Sequence, residues 1–170
     1  KASGEIYFDV AHDPEHPFVV EMKNQKIEVL GTSFNVRDYE DEEFVETTLV
    51  KGKVKVSAGN ESCILEPSHQ AVLDKKNTTI VQREVNVDEF VDWKNGKLNI
   101  RNQRLEDILT RLSKWYDVYV FYTSEDAKNL RFYANIDRYS DMNELLDKFE
   151  KTEQVKFEIK GNVINVSTMK

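Results

Sequence analysis

From Gly4 to about Gln82 apolar residues recur with period two in short runs. In Glu5-Ile6-Tyr7-Phe8-Asp9-Val10 the apolar Ile6, Phe8 and Val10 alternate with other positions. Runs of similar length follow at 18–20, 26–30, 34–36, 44–50, 54–56, 63–65, 71–73 and 79–81. Turn chemistry falls between them, as Asp13-Pro14-Glu15-His16-Pro17, Ala58-Gly59-Asn60 and Glu66-Pro67-Ser68. Strands of this length separated by polar turns predict a mainly β domain over residues 1–87, an antiparallel sandwich or β-roll.

After Val87 the pattern changes and a second domain, 88–170, is expected. Asn95-Gly96 is a turn signal ahead of a strand at 97–100. Leu105, Ile108, Leu109, Leu112, Trp115 and Tyr116 then step by threes and fours, which predicts a helix from about Gln103 to Tyr116 with these six on one stripe. Strands are expected at 118–122 and 130–136. A second helix carries Met142, Leu145, Leu146 and Phe149 inward and is N-capped by Ser140. Gly161-Asn162 closes a final hairpin between 155–160 and 163–166. The order predicts a small α+β domain of split β-α-β type, with two helices on one sheet.

Composition narrows the function. With 39% hydrophobic and 11% aromatic residues, the chain of 170 has the material for real cores. The net charge of −7, with 24 basic side chains interspersed among 31 acidic ones, offers no continuous basic field for phosphates, so no nucleic-acid partner is expected. The lone Cys63 has no disulfide partner in the chain. No run reaches the roughly 18 apolar residues of a membrane span. The chain opens at Lys1 without an initiator Met or signal peptide, and its ends are expected to be cut points from which native anchors are missing.

Candidate chemistry is thin. His12 and His16 are four apart, but Pro14 and Pro17 rule against the helix that spacing would need, and no third metal ligand is near. Asp38, Glu40, Asp41, Glu42 and Glu43 lack the alternating ligands and turn glycine of a calcium loop and read as a solvated loop, or as a face for a basic partner. No Gly-x-Ser-x-Gly occurs, and Cys63 has no evident His partner. Neither metal, cofactor nor turnover chemistry on a separate substrate is expected. Trp115 reads as core, because the stripe it shares must bury something.

Several blocks resemble the FecR domain of bacterial anti-sigma regulators, especially the Bacteroidetes branch. They are Gly4–Phe18, Val29-Leu30-Gly31-Thr32-Ser33-Phe34-Asn35-Val36, Thr48-Leu49-Val50-Lys51-Gly52-Lys53-Val54 and Leu65-Glu66-Pro67-Ser68-His69-Gln70-Ala71-Val72-Leu73. The segments Trp93-Lys94-Asn95-Gly96-Lys97-Leu98 and Leu105–Val118 resemble the domain that follows FecR in that branch, itself similar to the secretin and TonB short N-terminal module. The chain departs from the family at Arg104, where Pro is frequent, and at Ser68, where Gly is frequent.

The resemblance implies a periplasmic sensor region, anchored to the inner membrane in the full-length protein. The membrane helix, and the cytoplasmic segment that holds a sigma factor, lie outside this chain. It also implies first strands ahead of Gly4, so the β domain is expected to have an open sheet edge. The implied partner is the periplasmic signalling domain of an outer-membrane TonB-dependent transporter, docking by strand addition, with regulated proteolysis downstream. Val118, Val120 and Tyr122 on one strand, and Val163 and Val166 on another, are the candidate docking residues. Some relatives are similar to self-cleaving proteins at a Gly-Thr bond, which makes Gly31 and Thr32 a candidate pair: the Thr32 hydroxyl would attack the Gly31 carbonyl. The reading preferred here is a turn between strands, since no base is evident. A glycan-binding or scaffold module is the alternative class, with Tyr7, Tyr39, Tyr119 and Tyr133 as its aromatics.

Overall fold

The computed structural model describes residues 3–169. The chain divides into two compact units, meeting between Val91 and Asp92.

The described residues of the first unit form nine strands: β1 (Gly4–Asp9), β2 (Phe18–Glu21), β3 (Lys26–Val29), β4 (Ser33–Asp38), β5 (Phe44–Lys51), β6 (Val54–Ala58), β7 (Glu61–Leu65), β8 (His69–Asp74) and β9 (Thr79–Glu84). They form a five-stranded sheet, β1-β4-β5-β8-β9, and a four-stranded one, β2-β3-β6-β7, with every pairing antiparallel. Both sheets feed one hydrophobic core. Phe34, Val36, Val45, Leu49 and Leu73 come from the first, and Ile27, Val29, Val54, Val56 and Leu65 from the second. This is the sandwich that period-two alternation calls for, because alternate side chains of each strand point to one face. β1 pairs only with β4 among the described residues.

On the opposite face of the five-stranded sheet, polar side chains are buried as well. Asn35, Thr48 and Gln70 follow one another across β4, β5 and β8. Gln70 donates to Thr48 Oγ1 (2.8 Å) and accepts from Arg83 Nε (2.8 Å), while Asn35 donates to Glu5 (3.0 Å). Each buried polar group named here therefore has a partner, which is the condition for its burial to be tolerated.

The turn holding Ser68 adopts φ +65, a left-handed conformation that costs an L residue with a Cβ. That backbone accounts for a glycine being common there in the family it resembles. Arg104, at φ −67, sits where a proline ring would also fit.

The second unit follows a short helix, α1 (Asp88–Val91), which closes the first. It opens on a 3₁₀ turn at Asp92–Asn95 and continues through β10 (Lys97–Arg104), α2 (Leu105–Tyr116), β11 (Tyr119–Tyr122), a 3₁₀ turn at Glu125–Asn129, β12 (Arg131–Asp137), α3 (Met142–Glu150), β13 (Val155–Lys160) and β14 (Val163–Thr168). The strands differ from the single-sheet expectation. They form two sheets, an antiparallel pair β10-β12 and a three-stranded sheet β11-β14-β13 in which β11 and β14 run parallel. One core serves both sheets and both helices, with Ile100, Leu109, Leu112, Phe132, Leu146 and Ile164 among its members, and Trp115 packs against it. Apolar residues on β10 and β12 thus bury against the same helices as those on β11, β13 and β14, so sequence pattern alone does not distinguish one sheet from two.

α2 begins at Leu105, two residues later than predicted, because β10 runs on through Arg104 past a bulge where Asn102 takes φ +53. α3 is capped by Asp141, not Ser140. The Asp141 carboxylate accepts from the backbone N–H groups of Asn143 (2.8 Å) and Glu144 (3.4 Å). Ser140 stands one residue too early, and its carbonyl instead accepts the Tyr116 hydroxyl (2.8 Å).

Candidate docking surface

Strand addition requires an edge, and the two candidate strands differ in this. β14 lies between β11 and β13 with backbone pairing on both sides, Val163 opposite Tyr119 and Lys160, and Val166 opposite Tyr122 and Phe157. Val163 and Val166 therefore hold the sheet together, with Val166 fully buried, and have no free backbone to offer a partner. This corrects their placement as docking residues. β11 pairs only with β14 and has an open side among the described residues.

Pleating splits β11 into two faces. Val120 and Tyr122 point inward with Val118, which precedes the strand, and all three pack against the core. Tyr119 and Phe121 point outward and are 62% and 56% exposed, so the apolar surface available to a partner on this strand comes from the two residues between the predicted ones. Their alternation in Val118-Tyr119-Val120-Phe121-Tyr122 was visible in the sequence. Which face was buried was not, since both are apolar.

Beneath β11, the Tyr122 hydroxyl is buried and has no hydrogen-bond partner among the described residues. Burial, helped by the Glu106 and Asp107 carboxylates and opposed by Arg104, pushes this phenol above its usual range. Lys128 lies over its ring at 5.4 Å and bridges to Glu125 (2.8 Å) and Glu106 (3.9 Å), while Arg104 also pairs with Glu106 (2.7 Å).

Gly31 and Thr32 lie between β3 and β4. Gly31 has φ +140, and a Cβ there would stand 2.4 Å from the His12 Cα. Thr32 exchanges two backbone hydrogen bonds with Val10, each 3.0 Å, and its hydroxyl, 3% exposed with the rest of the residue, donates to the Lys53 carbonyl (2.8 Å). A carbonyl oxygen does not take the proton that an attacking hydroxyl must lose. The geometry is that of a close approach between two antiparallel chain segments.

The His16 ring Nδ1 donates to the Asp13 carboxylate (3.0 Å) in an exposed turn, and no cluster of three potential metal ligands occurs among the described residues. Two of the five acids are not solvated: Asp38 is buried against Lys75 (2.9 Å), and Glu42 is paired with Arg37 (2.5 Å). Cys63 is half-buried, and burial pushes its thiol up, away from the reactive thiolate.

The architecture so far is a β-sandwich followed by a two-sheet α+β unit with open strand edges. Two family models match it in turn, "FecR protein" over residues 1–55 and "FecR, C-terminal" over residues 97–166. The chain belongs to the FecR family of regulators. Two crystal structures of candidate anti-sigma factors from Parabacteroides distasonis ATCC 8503, at 1.65 Å and 2.50 Å, share its fold. Each is 21% identical over 99% of this chain, with TM-scores of 0.85 and 0.83, and the match covers 79% and 78% of those chains. A search of curated proteins finds no match.

Proposed function

We propose that this chain is the periplasmic sensor region of a FecR-type anti-sigma regulator. It receives a signal from the periplasmic domain of an outer-membrane TonB-dependent transporter and relays it to a sigma factor bound elsewhere in the full-length protein. The observation that carries the reading is the pairing of the two FecR-type units with an open β11 edge bearing exposed Tyr119 and Phe121. An extended partner segment adding at that edge would gain main-chain hydrogen bonds from β11 and selectivity from the two aromatic side chains. Docking would bias the regulator between holding and releasing the sigma factor, with proteolysis downstream. The chain itself contributes recognition and no turnover chemistry.

Calorimetric titration of the chain with the purified signalling domain of the transporter encoded beside it tests this. Saturable binding that Phe121→Asp abolishes, with the fold intact by circular dichroism, supports the reading. Absence of binding by the folded protein would refute it and turn attention to a glycan-binding or scaffold role, which a glycan array addresses.

A further inference from the structure

β12 belongs to a two-stranded sheet, and its side away from β10 is unpaired among the described residues. Two-stranded sheets are marginal by themselves, and an unpaired edge of seven residues is a template for another strand. The sequence Arg131-Phe132-Tyr133-Ala134-Asn135-Ile136-Asp137 alternates strictly. Phe132 and Ile136 are buried and Ala134 half-buried, while Arg131, Tyr133, Asn135 and Asp137 are exposed, Tyr133 at 74%.

Laid antiparallel against a copy of itself about a two-fold axis through Ala134, this strand matches at every position. Arg131, whose Nη1 also donates to the Asn102 carbonyl (2.5 Å), faces Asp137 of the second copy, and Asp137, whose Oδ1 also accepts from the Tyr139 N–H (2.9 Å), faces its Arg131. Tyr133 faces Asn135, and Phe132 faces Ile136. Ala134, small enough for the axis, faces itself. Sliding the register by two residues moves the axis to Tyr133 or Asn135 and separates both charge pairs. From the complementarity of this strand with its own reverse, we infer that a second copy of the chain docks on β12. The two-fold dimer has a continuous four-stranded sheet, β10-β12 joined to the partner's β12-β10.

The other open edges lack this property. β1 would set Glu5 against Asp9, β2 and β7 carry only acidic charge, β9 has Arg83 and Glu84 on opposite faces, β10 carries only basic charges, and β11 carries none. β13 could match Lys156 with Glu158, but the Phe157 N–H is already taken by the Glu150 carboxylate at 2.6 Å. Because β11 belongs to the other sheet, the dimer leaves the edge used in the proposed function unpaired, and the two readings fail separately.

Sedimentation of the whole chain from about 10 µM to 1 mM, the range of a small strand-pair interface, gives the test. A concentration-dependent monomer–dimer equilibrium is expected. Arg131→Asp or Asp137→Arg alone places like charges opposite each other at both ends of the interface and is expected to weaken dimerisation at least tenfold. The double exchange Arg131→Asp with Asp137→Arg is expected to restore it. Circular dichroism establishes that each variant is folded.

An independent readout uses a Cys63→Ser background with oxidised glutathione as oxidant. Antiparallel partners stand about 4.5–5.5 Å apart between Cα atoms, within disulfide reach. Ala134→Cys is therefore expected to give a covalent dimer and Tyr133→Cys, whose counterpart is Asn135, to remain monomeric. A wild-type chain that is monomeric throughout, a dimer indifferent to either charge reversal, or cross-linking at position 133 in preference to 134 would overturn the inference.

Discussion

Replacing Gly31 by alanine separates a structural role for the Gly31-Thr32 step from a chemical one. The new Cβ would stand 2.4 Å from the His12 Cα and 2.8 Å from both its Cβ and Nδ1. The ring could rotate away; the Cα is backbone and cannot. Nor can the two segments separate freely, since Val10 and Thr32 exchange backbone hydrogen bonds at 3.0 Å and the Asp13 N–H reaches the Leu30 carbonyl at 2.8 Å. A φ of +140 adds about 1–3 kcal/mol for any residue with a Cβ. Forcing a methyl into a filled crossing adds about another 1–3 kcal/mol.

A loss of about 2–6 kcal/mol follows, and at roughly 4–8 °C per kcal/mol for a unit of this size the first unit should melt at least about 8 °C lower. Thermal unfolding followed by far-ultraviolet circular dichroism measures it. Gly161→Ala is the control: φ is +61 and nothing lies within 4 Å of the added Cβ, so only the left-handed backbone costs, about 1 kcal/mol. If Gly31→Ala melts no lower than Gly161→Ala, the crossing does not require glycine and the structural account fails. The same samples, held for days and weighed intact by mass spectrometry, should keep a single full-length mass, and fragments ending at Gly31 would restore self-cleavage as the reason for the pair.

Other sites give sharper single effects. Ser68→Gly relieves a left-handed serine and should raise stability by about 0.5–1 kcal/mol in urea denaturation. Tyr122→Phe removes a buried hydroxyl without a partner and should be neutral or stabilising by up to about 1 kcal/mol, where an essential hydrogen bond would make it destabilising by the same assay. Leu112→Ala empties a fully buried position on α2 and should cost about 2–5 kcal/mol by the same titration. The Asp141 carboxylate is held below its ordinary value of 3.8 by the Asn143 backbone N–H, then the Asn143 side chain and the Glu144 N–H. Its contribution to α3 is thus fully present above about pH 4 and lost as pH falls through the lower folded value, a dependence that Asp141→Asn should flatten in melting temperatures taken from pH 5 to pH 2.

The elements were legible because most carry an apolar pattern of the right period. The described strands of the first unit fall on short apolar runs, alternating in some such as β6 and contiguous in others such as β2 and β7, and α2 falls where Leu105, Ile108, Leu109 and Leu112 step by threes and fours. What the pattern missed depends on neighbours. Thr48 and Gln70 are polar by type and yet buried, and Arg83 and each other's side chains satisfy them across strands more than 12 residues apart. The α3 cap moved by one residue because Ser140 and Asp141 are both good caps, and only the path of the chain decides which carboxylate or hydroxyl reaches the first free N–H groups.

The docking residues follow the same logic one level up. β11 and β14 are equally apolar in sequence, yet one is an edge and the other a centre, and strand order is a property of pairing, which hydrophobic pattern does not encode. Position in the sheet then reverses the significance of individual residues. Val166 is fully buried because β14 is central, and changing it would damage the fold and with it any binding, so a loss of binding there would say nothing about contact. Phe121, outward on an edge strand, can be changed with the core intact; Arg131 and Asp137 on β12 are outside the core too, though each also holds a local backbone group, the Asn102 carbonyl and the Tyr139 N–H. A change in association caused by these residues, with the melting temperature unchanged, reports on an interface. That separation makes the β11 and β12 edges testable surfaces, and makes the exchanged charge pair, where two disruptive substitutions must cancel, the more demanding of the two tests.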